Sequence, residues 1–199
     1  MYEKVGKQTI TDFMNGFNGT IFAYGQSGSG KTFSMLGPED VTEALSKDFS
    51  SVPESVTQLY GITPRAVIQM FEMINNFVSE GSQCTMICSY IEIYNETIKC
   101  LLSKKENLKI REQPGMGMNV ADKEVRVCKT PEEIFEVVAI ASRNRAVTGT
   151  NQNARSSRSH TILLMEFEYH GVDGAKRGSR LNLVDLAGCE RVSEYFYCV

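Results

Sequence analysis

Gly25-Gln26-Ser27-Gly28-Ser29-Gly30-Lys31-Thr32 fits the spacing G-x-x-x-x-G-K-[ST] at every fixed position. Four fixed positions match by chance in roughly one chain of this length in a hundred, so the flanking residues decide what the match means. Thr20-Ile21-Phe22-Ala23-Tyr24 precedes it, a continuous apolar run of the kind a doubly buried parallel strand needs. Thr32-Phe33-Ser34-Met35-Leu36 comes next and can open a helix. Strand, glycine-rich turn and helix are the context such a loop requires. The glycines let successive N–H groups curl around one phosphate cluster, and the helix start adds its own unpaired donors. In that arrangement Lys31 reaches the outer phosphates and the Thr32 hydroxyl holds magnesium.

Composition sets the outer bounds. A chain of 199 residues with 42% hydrophobic content suits one domain with a real core. A formal net charge of −3 gives no broad electrostatic footprint for nucleic acid. Met1-Tyr2-Glu3-Lys4 does not begin a basic-then-apolar leader, and no run approaches the roughly 18 apolar residues of a membrane span, so no membrane insertion and a cytosolic setting are expected. The six cysteines contain no C-x-x-C pair, and His160 and His170 are the only histidines, which argues for neither a zinc site nor a disulfide framework.

Read in order, the pattern predicts an α/β layer fold. Val5, Ile10, Phe13, Met14 and Phe17 form a helical stripe stopped by Gly16, Asn18 and Gly19. Gly37 to Gly61 reads as a long surface insertion beside the loop. Thr63-Pro64 predicts an N-cap and first turn for a core-facing helix that runs to Gly81. Cys84 to Tyr94 predicts a central strand, and Leu108 to Cys128 a small hairpin region at the sheet's edge. Thr130-Pro131-Glu132-Glu133 is a capping box opening a helix to about Arg145. Strands over Thr161–Tyr169 and Leu181–Val184 come after it, separated by a glycine-rich hairpin at Gly171–Gly178. Strands alternating with helices give a mixed sheet.

A phosphoryl-transfer site needs a cradle, a magnesium holder and a loop that senses the terminal phosphate. Asp185 ends an apolar strand, the place from which a carboxylate reaches magnesium through water, and Gly188 three residues on offers a backbone N–H to the terminal phosphate. The third piece is Asn153-Ala154-Arg155-Ser156-Ser157-Arg158-Ser159-His160, dense in hydroxyls and arginines. This run, N-x-x-S-S-R-S-H, closely resembles the first switch of kinesin motor domains. Asp185-Leu186-Ala187-Gly188-Cys189-Glu190 resembles their second switch, with Cys189 where the family usually has Ser. Asn18 to Gln26 resembles the lead into their phosphate loop, and Tyr90-Ile91-Glu92-Ile93-Tyr94-Asn95-Glu96 one of their strands.

The resemblance implies a P-loop NTPase with a kinesin-like three-layer arrangement, a mixed sheet flanked by helices, and a magnesium-ATP site. Gly25, Gln26, Ser27, Gly28, Ser29, Gly30, Lys31 and Thr32 would hold the phosphates, with Phe33 against the adenine. Thr32 and Ser157 would contact the metal and Asp185 would hold it through water. Ser156 and the Gly188 backbone would meet the terminal phosphate and attacking water. Arg158 and Glu190 would pair as a latch when both switches close, Glu190 helping to place or relay the water's proton. Ser159 and His160 read as structural, since His160 begins a strand. The implied partner is the microtubule, through tubulin, and the implied location the cytoplasmic cytoskeleton; the stretch Met116 to Lys123 loosely resembles a minor family contact loop.

The likeness extends from residue 1 to 194, while Tyr195-Phe196-Tyr197-Cys198-Val199 departs from it. Against the family pattern the sequence reads as a partial motor domain, truncated at both ends. It lacks the first strand and the segments beyond the second switch, where any oligomerising neck would lie. Two other readings compete. A GTPase switch would carry N-K-x-D, which the chain lacks. A non-motile fragment that binds nucleotide without motor output would keep all these motifs.

Overall fold

The computed structural model of the chain describes residues 1–38, 44–47, 57–113, 117–147 and 158–190. The elements run α1 (Tyr2–Val5), α2 (Lys7–Met14), β1 (Gly19–Ala23), α3 (Lys31–Leu36), α4 (Ile62–Ser79), β2 (Gln83–Tyr94), β3 (Thr97–Cys100), β4 (Ile110–Gln113), β5 (Gly117–Val120), β6 (Arg126–Cys128), α5 (Pro131–Val147), β7 (His160–His170) and β8 (Lys176–Asp185). A single helical turn at 44–47 seats Leu45 in the core.

The main sheet has the order β1-β8-β7-β2-β3, with β6 also paired to β2. Only β1 and β8 are parallel among the pairs in this sheet. Alternation decides which face is dry. Leu163, Met165 and Phe167 of β7, Leu181 and Leu183 of β8, and Met86 and Cys88 of β2 are buried, with Ile10, Phe13 and Met14 of α2 and Val67, Met70 and Phe71 of α4 in the same cluster. Phe167 sits at its centre, its ring 6.0 Å from Phe13 and 6.5 Å from Phe77. Burying such a ring contributes about 2 to 3 kcal/mol.

Local expectations are met with adjustments that have physical causes. The first helix is split at Gly6, so that it begins at Tyr2 and ends at Met14 rather than running 5–17; the Tyr2 hydroxyl donates to Gln69 at 2.6 Å and ties the leading turn to α4. Thr63 is not the N-cap of α4. Gly61 caps it, and Thr63 and Pro64 lie in the first turn, where a missing proline N–H would have had no intrahelical partner. The capping box of α5 forms only in part: the Glu133 N–H reaches the Thr130 hydroxyl at 3.4 Å, but the Glu133 carboxylate accepts from the Lys129 N–H at 2.5 Å, one residue before the cap. Asn95 and Glu96, both at positive φ, turn β2 into β3.

Two strand expectations are corrected. β1 is a sheet edge among the described residues, not a doubly buried strand: Ile21 faces the helices, but Phe22 is 62% exposed. The 108–128 region does not add one hairpin to the main sheet. β4 and β5 make a separate two-stranded sheet, and only β6 joins β2. β8 begins at Lys176 rather than Leu181, because its ladder with β7 continues out to His170 and Lys176.

Candidate nucleotide-binding site

One rung of the sheet delivers the site. Ala23 of β1 pairs with Asp185 of β8, Asp185 with Thr161 of β7, and Thr161 with Glu92 of β2. Residues directly opposite one another point to the same face, so these four side chains line up at the carboxyl ends of the parallel strands, where open α/β sheets bind ligands. The chain leaves β1 into the phosphate loop and leaves β8 into residues 186–190. The two loops therefore meet.

Within the phosphate loop, Gly30 takes φ +86° and caps α3 in the left-handed region, with open space where a Cβ would stand; backbone conformation, not room, demands glycine there. Lys31 Nζ donates to the carbonyls of Gly25 (3.0 Å) and Gln26 (2.8 Å), which folds the side chain over its own loop. Phe33 stands 53% exposed on α3.

Residues 186–190 close against this loop at several points. The Leu186 N–H donates to Ala23 O at 3.3 Å and the Cys189 N–H to Gly25 O at 3.2 Å. The Glu190 carboxylate accepts the Ser27 N–H at 2.8 Å and, by a very short bond, the Ser27 hydroxyl. Those two donors, the hydroxyl first, hold the Glu190 carboxyl below the usual glutamate range. A Cβ at Gly188 would collide with the Ser27 hydroxyl and the Glu190 carboxylate, so only glycine allows this approach.

The Thr32 hydroxyl donates to Asp185 Oδ2 at 2.6 Å. Asp185 Oδ1 is buried and has no hydrogen-bond partner among the described residues. Leaving a carboxylate oxygen dry and unpaired costs about 1 to 3 kcal/mol or more. A hydrated magnesium ion would supply the donors this oxygen lacks, so Thr32 and Asp185 fit the metal's requirements for oxygen ligands and outer-sphere carboxylate contact.

Sequence reasoning missed the cation behind Asp185. Arg145, in the last turn of α5, places Nη1 3.9 Å from Asp185 Oδ2, Nε 3.8 Å from Glu92 Oε1, and donates from Nη2 to the Ser159 hydroxyl at 3.1 Å. Glu92 is 1% exposed. The signal was a lone carboxylate between Ile91 and Ile93 in an apolar strand, which must find a cation when buried. Tyr90 belongs to the same dry corner, where burial pushes its phenol up. Of the first-switch candidates, Ser156 and Ser157 lie outside the described residues. Arg158 is exposed, and no ion pair joins it to Glu190 among the described residues, the Glu190 carboxylate being on Ser27 instead.

A family model, the kinesin motor domain, matches residues 1–196. The chain belongs to the kinesin motor-domain family. Its sequence is 43% identical to kinesin-related protein 5 of Dictyostelium discoideum over 196 residues, covering 98% of this chain and 19% of that relative. It is 42% identical to the kinesin heavy chain of Syncephalastrum racemosum over 191 residues, covering 94% of this chain and 19% of that relative. A solved structure of a fast kinesin superposes with a TM-score of 0.82 at 34% identity, covering 96% of this chain and 51% of that one. The chain thus spans about a fifth of the length of these two relatives and half of the solved kinesin. The kinesin fold accounts for the mixed sheet, the glycine-rich loop after β1 and the place of residues 186–190 after β8.

Proposed function

We propose that this chain is the ATP-binding and ATP-hydrolysing core of a motor that works on microtubules in the cytoplasmic cytoskeleton. The observation that carries the reading is the convergence of Thr32, Asp185, Ser27 and Glu190, up to 163 residues apart, on one corner of the sheet. Phosphoryl transfer asks a protein mainly for positioning and electrostatics, and this corner is built for both.

The phosphate-loop residues Gly25 to Thr32 would cradle the phosphates, with Lys31 turning from its backbone acceptors toward the outer oxygens and Phe33 stacking on the base. Thr32 and Ser157 would ligate magnesium and Asp185 would order its water shell, fixed in place by Arg145. Bound magnesium neutralises charge that develops on the phosphate oxygens. Ser156 and the Gly188 N–H would meet the terminal phosphate. Glu190 would exchange Ser27 for Arg158 when the switches close, and in that position orient the attacking water. Tubulin contact would fall partly on the β4–β5 hairpin, where Met118 is 65% exposed. No helix among the described residues is long and apolar enough to cross a membrane.

The test is thermal unfolding of the chain with and without magnesium-ADP. A ligand at one hundred times its Kd adds about 2.7 kcal/mol of stability, and Lys31→Ala should abolish the shift. A chain that melts identically with and without nucleotide overturns the reading. Turnover that microtubules accelerate is the second expected result; nucleotide binding without it would leave a binding fragment and remove the motor function.

A further inference from the structure

Ser159 and His160 close the first-switch motif and read from sequence as structural. The structure gives them a second connection. His160 opens β7 in register with Ile93, and its Nδ1 accepts the Ala187 N–H at 3.0 Å. An accepting Nδ1 means a ring that carries its proton on Nε2. Ser159, fully buried, takes the Arg145 Nη2 donor, and Arg145 faces Asp185. Both residues that end the first switch therefore hold the start of the second.

The consequence appears in the backbone of 186–189. The Leu186 N–H is held by Ala23 O, the Ala187 N–H by His160 and the Cys189 N–H by Gly25 O. Between them the Gly188 N–H has no acceptor among the described residues. Three neighbouring donors are tied to the scaffold and one is left to act. It belongs to the Ala187–Gly188 peptide, whose preceding unit is restrained by the imidazole through the Ala187 N–H and whose following unit is restrained by Gly25 O through the Cys189 N–H.

We propose that His160 is a positioning residue for the nucleotide reaction: by holding the Ala187 N–H it fixes the peptide that precedes the Ala187–Gly188 unit, so that the Gly188 N–H is aimed at the terminal phosphate. The inference rests on the ATP-site reading. It predicts a specific defect, in sensing the third phosphate rather than in holding the first two, since among the described residues no hydrogen bond joins the phosphate loop to His160.

The experiment is calorimetric titration of the full chain with magnesium-ADP and, separately, with a non-hydrolysable β,γ-imido ATP analogue. His160→Leu removes the acceptor. It should leave ADP affinity within about twofold and weaken the analogue about tenfold, the scale of one hydrogen bond. His160→Asn places an oxygen where Nδ1 stood and should recover analogue binding, while His160→Gln, whose acceptor lies further out, should not. Equal weakening of both ligands in His160→Leu, or no weakening of either, overturns the inference, as does His160→Asn behaving like His160→Leu. Should His160→Leu fail to fold, His160→Gln decides: an unchanged ratio of analogue to ADP affinity overturns the proposal. A wild-type chain that binds neither ligand overturns the ATP-site reading itself, a result distinct from all of these.

Discussion

Two acidic corners face the phosphate loop, and they are held by opposite means. Asp185 and Glu92 sit in the sheet, nearly dry, bracketed by the guanidinium of Arg145. Glu190 is exposed and held by the hydroxyl and N–H of Ser27. Buried charge is costly to separate from its partner, so the first corner is a fixed reference. Hydrogen bonds at the surface exchange readily with water, so the second corner can release and re-form. Under the proposed ATP reading, the first carboxylate would stay in place and the second would move.

The strongest challenge to this contrast is Arg145→Met, which leaves Glu92 buried without the guanidinium. Urea unfolding should show a loss of about 3 kcal/mol, and the double variant Arg145→Met with Glu92→Leu should recover the part owed to Glu92 but not the part owed to Asp185, which stays buried without the guanidinium. A single variant as stable as wild type would show that the dry corner is not held by charge.

The exposed corner should behave the other way. Glu190→Ala should leave the unfolding midpoint and magnesium-ADP affinity essentially unchanged yet slow turnover by about 100-fold, the range for loss of a positioned acid–base group. Normal turnover in that variant would remove Glu190 from the chemistry.

The smallest effect is a titration. Because the Glu190 pKa is lowered in the folded chain, the contact's contribution is complete above the ordinary glutamate value of about 4.3 and is lost only as pH falls through the lowered folded value. The Ser27–Glu190 contact should therefore be intact at about pH 5. Ser27→Ala keeps the backbone N–H and loses the hydroxyl, so the Glu190 midpoint, followed by carboxyl NMR shifts, should move part of the way up. An unmoved midpoint would assign the effect to the backbone donor alone.

The motifs of the site were legible because each is local. Gly25 to Thr32 fixes its own loop geometry through glycine backbone freedom, and Asp185 at the end of an apolar strand announces its position. Helix starts were legible to within a turn, and the error at Thr63 arose because a buried threonine and a capping threonine look alike without knowing that Gly61 already turns the chain. The edge position of β1 was illegible for a related reason: Ile21 and Phe22 are equally apolar, and only pairing shows that one is buried and the other exposed.

Linear order was enough to determine the family, the loop-forming residues and the strand ends that carry them, since spacing and side-chain chemistry act over a few residues. It took the folded chain to decide that Arg145 stands behind Asp185, that Glu190 rests on Ser27 and that His160 holds Ala187. Those pairings join residues from 27 to 163 positions apart, and their geometry is set by strand order and register, which no local pattern encodes.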